Sequence, residues 1–250
     1  MVLRRERGVI AAGLVLVTAL AWWSVIGGAR QMDGVVGQMA APDPGAWPVP
    51  AILPLFLMWV IMMVAMMLPS AAPMILTFAS VARRRREQQR PYVPVIVFVA
   101  GYVAVWGGVS AVVAVVQWLL HRAALLSPMM ASSSAWLGGV LLLLAGVFQF
   151  TPLKHRCLTH CRAPLEFITT RWREGRAGAF AMGIEHGLFC AGCCWALMAL
   201  LFVLGVMNLL WIAALTILVG MEKLLPGRIW VSRLSGLLLT GWAVWVLARA

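Results

Sequence analysis

Seven stretches of this 250-residue chain are apolar over roughly the length of a membrane crossing, and nothing else in the sequence restricts its fold as strongly. A helix needs about 20 apolar residues to cross about 30 Å of hydrocarbon, where it must satisfy its own backbone hydrogen bonds. The runs are Val9–Gly28, Ala51–Leu68, Val93–Leu120, Ala135–Phe150, Ala179–Leu204, Met207–Leu225 and Ile229–Ala248. The second is expected to continue past Pro69 and Pro73 to about Ala79 as a kinked helix, since each proline removes a backbone donor. A chain that is 63% hydrophobic and 11% charged has too little polar surface to cover a soluble core of this size. The expected fold is all-α: a polytopic transmembrane bundle of about seven spans, forming one membrane domain over residues 1–250.

The net charge of +12 first reports orientation in such a chain. With the N-terminus cytoplasmic, 17 of the 20 Lys and Arg fall on the cytoplasmic side, leaving Arg30, Arg122 and Arg249 outside. That split follows the positive-inside rule for an odd number of spans. It makes the lipid bilayer, rather than nucleic acid, the partner that the basic residues imply. The first run, preceded by Arg4 and Arg5, is longer than a signal-peptide core and is expected to be an uncleaved anchor. Gln31–Pro50 follows as an external loop. Thr151–Arg176 is too short to bury a core of its own, and is expected to be a cytoplasmic loop. Within it, Pro164 begins a short interfacial helix carrying Leu165, Ile168 and Trp172 on one face.

All five cysteines and three of the four histidines lie between His155 and Cys194. One group, Cys157, His160 and Cys161, is in the Thr151–Arg176 loop. The other lies in the fifth run, where His186, Cys190, Cys193 and Cys194 fall at i, i+4, i+7 and i+8 and so share a helix face, extended by Met182 and Met198. A buried cysteine is commonly just a small core residue. Three thiols and an imidazole aligned on one face are harder to explain by packing alone. Imidazole, thiol and thioether together suit Cu(I), with zinc as the second choice, whereas magnesium and calcium require oxygens. Glu185 is ionisable and deep in an apolar run, so it is a candidate to orient His186. The second run adds Met58, Met62, Met63, Met66, Met67 and Met74, a pattern more often packing filler than ligand track, although with the fifth run it fits a metal that prefers sulfur.

Two other readings use the same residues. Cys190 and Cys193 have the C-x-x-C spacing of a membrane thiol–disulfide oxidoreductase. An assembly subunit of a membrane complex would need neither metal nor redox chemistry. No phosphate loop, G-x-S-x-G, H-E-x-x-H or paired intramembrane carboxylates point to an enzyme of another kind.

Trp59 through Met67-Leu68-Pro69, Thr151-Pro152-Leu153-Lys154 with Cys157, Cys161 and Pro164, Gly183, His186 and Gly187, Cys190-Ala191-Gly192-Cys193-Cys194-Trp195 with Met198, and Glu222-Lys223 form a recognisable set. The set resembles a family of bacterial integral membrane proteins described as predicted metal-binding, some of whose members are labelled copper chaperones. The likeness covers roughly Ala51 to Lys223 and implies metal handling. The expected ligand pool is His186, Cys190, Cys193 and Cys194, with Cys157, Cys161 and His160 as a loading or transfer site. Glu185, Met182 and Met198 are expected beside the ligands, and Glu222 and Lys223 are expected to pair with each other. A metal-donor or acceptor protein is the implied partner.

Overall fold

The computed structural model describes residues 2–36, 52–89, 93–123, 134–225 and 229–250. Among them every regular element is an α-helix: α1 Val2–Val36, α2 Ile52–Glu87, α3 Val95–Arg122, α4 Ala135–Phe148, α5 Pro152–Arg162, α6 Pro164–Thr170, α7 Gly175–Ala199, α8 Leu201–Leu204, α9 Leu209–Leu224 and α10 Ile229–Leu247. Large apolar side chains cover the outside as well as the core, with Trp23, Trp136, Leu210 and Trp230 all exposed. An apolar exterior of this kind suits a lipid solvent.

Five helical stretches are long and apolar enough to cross a membrane: Glu6–Gln31, Ile52–Glu87, Val95–Arg122, Gly175–Leu204 and Ile229–Leu247. A sixth is added if α4 and α5, bent by 63° at their junction, count as one broken span. The sixth expected run, Met207–Leu225, appears as the 16-residue α9, which at 1.5 Å per residue reaches about 24 Å, short of the hydrocarbon thickness. α2 passes through Pro69 and Pro73 as expected but continues further, to Glu87. The expected Gln31–Pro50 loop is helical through Val36, and residues 37–51 lie outside those described.

Thr151–Arg176 is more ordered than a loop, for it holds both α5 and α6. Thr151 caps α5 by accepting the Lys154 amide at 3.3 Å, with Pro152 in the first turn where no amide donor is needed. In α6 it is Phe167 and Ile168 that face inward, while Leu165 is exposed. Trp172 follows the helix and stacks on Phe78, with the Arg85 guanidinium over its ring.

The helices pair as α1 on α2, α2 on α3, α3 on α7, α4 on α10 and α5 on α7. Small residues permit the closest of these contacts. A Cβ on Gly183 would collide with the Phe98 carbonyl, and one on Gly101 with the Phe180 carbonyl. Gly183 and Gly187 thus form a G-x-x-x-G face against α3, the usual means of bringing two membrane helices close. That close approach sets Tyr102 of α3 beside the cysteines of α7.

Candidate metal centre

The five cysteines are all free thiols, and two segments far apart in sequence bring them together. On α7, Cys190, Cys193 and Cys194 are buried along with His186. On α5, Lys154, Cys157 and Cys161 stand at i, i+3 and i+7, so one face carries both thiols and the lysine. That face meets α7 at Gly192, where a Cβ would lie only 2.9 Å from Cys157 Sγ. A side chain at this position would force the Cys157 thiol to move. Cys161, on the same face of α5, is near enough to Cys193 for the two thiols to influence each other electrostatically.

Residues from three further helices close the cluster. Tyr102 on α3 donates to the Met67 carbonyl at 3.1 Å, and its hydroxyl lies 3.1 Å from Cys190 Sγ. Lys223 on α9 reaches Cys190 Sγ at 2.9 Å, Ser70 Oγ at 3.2 Å and Met67 Sδ at 3.8 Å. Met67 on α2 also accepts from the Cys194 thiol at 3.9 Å. Cys193 and Cys194 both turn back to the Cys190 carbonyl, at 3.1 and 3.0 Å. The centre therefore draws the thiols of α5 and α7 and the Met67 thioether together near a buried ammonium, with Cys161 partly exposed at its edge.

Behind it a buried ion pair fastens α5 to α9. Lys154 Nζ is 2.7 Å from Glu222 Oε2, and neither side chain is more than 2% exposed. Arg162 adds a hydrogen bond from Nε to the Glu222 carbonyl at 2.6 Å. Glu222 and Lys223, expected to pair, instead take separate partners, because consecutive helical residues point about 100° apart. Lys154 belonged to the recognised motif without a role assigned to it, and Tyr102 had not been singled out by the sequence. The charges of Glu222 and Lys223 inside an apolar run were the available signal.

The other expected residues stand further out. His186 is buried among Phe98, Tyr102 and Phe167, and its Nδ1 has no hydrogen-bond partner among the described residues. Glu185, one residue before it, pairs with Arg171 and, at 3.8 Å, with Arg173. Met182 accepts the Arg173 amide, and Met198 is buried in the core beyond the thiols. His160 stacks on Phe189 with ring centroids 4.2 Å apart and lines a cavity of about 520 Å³ with Glu166 and Arg171, apart from the thiols. Among the described residues, no three His, Cys, Asp or Glu side chains are already arranged around a common metal position.

The thiol face of α7, the α5 cysteines and the α2 methionines all lie within the span of a family model described as PpoB2, copper chaperone, which matches residues 56–246. The chain belongs to this copper chaperone family. The match extends from the first turns of α2 almost to the end of α10, so it takes in the whole centre. No curated protein and no solved structure matches the chain.

Proposed function

We propose that this protein binds Cu(I) as cargo at the thiol cluster between α5 and α7, in the bacterial inner membrane, and passes it to an acceptor by ligand exchange. The observation that carries this reading is the packing of α5 against α7, which sets Cys157 against Gly192 and so draws the thiols of the two helices together. The donor chemistry fits. Thiolate and thioether favour Cu(I), which needs only two to four donors, and α5 and α7 together offer five free thiols. Zinc would draw on the same thiols but prefers four donors in a tetrahedron. Loading replaces thiol protons by the metal, so copper uptake releases protons.

Copper measured on detergent-purified protein under reducing conditions tests the proposal. Stoichiometric copper is expected, with loss in Cys190→Ser/Cys193→Ser/Cys194→Ser. Unchanged copper in that variant would overturn it. A Cys190–Cys193 disulfide with a measurable two-electron potential and no copper would favour the oxidoreductase reading instead.

A further inference from the structure

We infer that the chain carries a second soft-metal site, built from thioethers alone, at the end of α2 remote from the thiols. A cavity of about 170 Å³ lies between α1, α2 and the turn entering α9, and Met58, Met62 and Met207 line it together with Ser24, Val25, Gly28 and Ile61. Three of those seven residues are methionine. They come from separated parts of the chain: Met58 and Met62 one turn apart on α2, and Met207 from the turn after α8. Gly205, at φ +94°, adopts the left-handed conformation that redirects the chain there. Gly28 leaves the room that Met207 uses, for a Cβ on it would lie 3.1 Å from Met207 Cε.

Filler methionines close gaps, whereas these three border an open one. Their long, unbranched side chains can turn sulfur into the space at little cost. A site whose donors are three thioethers, with only a serine hydroxyl in addition, selects Cu(I) or Ag(I) over zinc and over hard cations. Under the positive-inside orientation this end of α2 faces the external side. Thioethers suit that side, because unlike thiols they cannot be lost to disulfides. Met63 and Met66, both buried, stand along α2 between the cavity and Met67, which touches Cys194. From Met58 to Met67 the axial rise is about 13 Å. The site deepens the copper reading by giving the cargo a second stop, on donors that the thiol centre does not share.

X-ray absorption on selenomethionine-labelled full-length protein loaded with Cu(I) separates the two sites, because copper–selenium scattering reports thioether ligation and copper–sulfur scattering reports thiolate. Two equivalents are expected in the unaltered protein. Met58→Leu/Met62→Leu/Met207→Leu should lose one equivalent and most of the copper–selenium signal while keeping the thiol-bound equivalent, whose retention shows that the variant is folded. Met207→Leu alone, outside any helix, should weaken the second equivalent at least tenfold. In the triple cysteine variant the selenium-bound equivalent should persist. Full copper–selenium scattering and two equivalents in the triple leucine variant would overturn the second site. Loss of the thiol site alone would leave it standing, and absence of both equivalents from the unaltered protein would end both proposals.

Discussion

Lys223 Nζ lies 2.9 Å from Cys190 Sγ in a region closed to solvent, with Met67 and Ser70 as its other neighbours. An ammonium thus occupies the middle of a nest of sulfur donors. Cu(I) held by two thiolates carries a net negative charge, which a nearby buried cation stabilises. Lys223→Met should therefore weaken Cu(I) binding by roughly tenfold, about 1.4 kcal/mol, in a competition titration against a chromophoric chelator. Lys223→Arg should recover part of the loss. Equal affinity in all three proteins would show that the lysine serves packing only.

The Lys154–Glu222 pair should behave asymmetrically. Removing one member leaves a buried charge without its partner, which costs on the order of 3–5 kcal/mol, whereas replacing both by apolar residues is often nearly neutral. Lys154→Met and Glu222→Gln should each lower the melting temperature in detergent sharply, and Lys154→Met/Glu222→Leu should recover most of it. The single variants should also speed alkylation of Cys157 and Cys161, as α5 loses its hold on α9.

The Arg171–Glu185 contact gives the opposite expectation. With side chains 42% and 20% exposed it is a partly solvated pair, worth at most about 1 kcal/mol. Arg171→Gln should shift the melting temperature by no more than a few degrees and leave copper stoichiometry unchanged. A loss of copper would give Glu185 a part in the centre that its present partners do not.

Glycine substitutions on α7 should rank by what their new Cβ meets. At Gly183 it meets the Phe98 carbonyl, which is backbone and cannot yield, while at Gly187 it meets the Val105 side chain at 2.9 Å. Overpacking typically costs about 1–3 kcal/mol. Gly183→Ala should stand at or above the top of that range and Gly187→Ala within it, read as melting shifts. Gly183→Ala should also expose Cys190 to alkylation by displacing Tyr102.

The long helices were legible because apolar runs such as Val93–Leu120 are dictated by the solvent they face. The alignment of Cys190, Cys193 and Cys194 followed from helical periodicity alone. α5 was not legible as a packed element. Its sequence is basic and short, and Lys154, fully buried, reads as a solvated residue until its partner 68 positions away is known. Tyr102 is likewise one aromatic residue in an apolar run, with nothing local to mark its contact with Cys190. Periodicity reports which residues share a face, but the identity of the opposing face is a long-range fact. The 16-residue α9 shows the converse, since its run is apolar enough to suggest a span and too short to complete one.

The 63° bend between α4 and α5 turns the α5 thiols out of line with α4, and α5 packs on α7, so the thiols are shared between two separate pieces of chain. Three sulfurs belong to a continuous core helix and two to a short lever, hinged at Gln149–Thr151 and ending at Ala163. Such a construction is a clasp rather than a cup. Its grip resides in the contact between jaws, so a displacement of one jaw by a few ångströms would change how many donors meet without unfolding either.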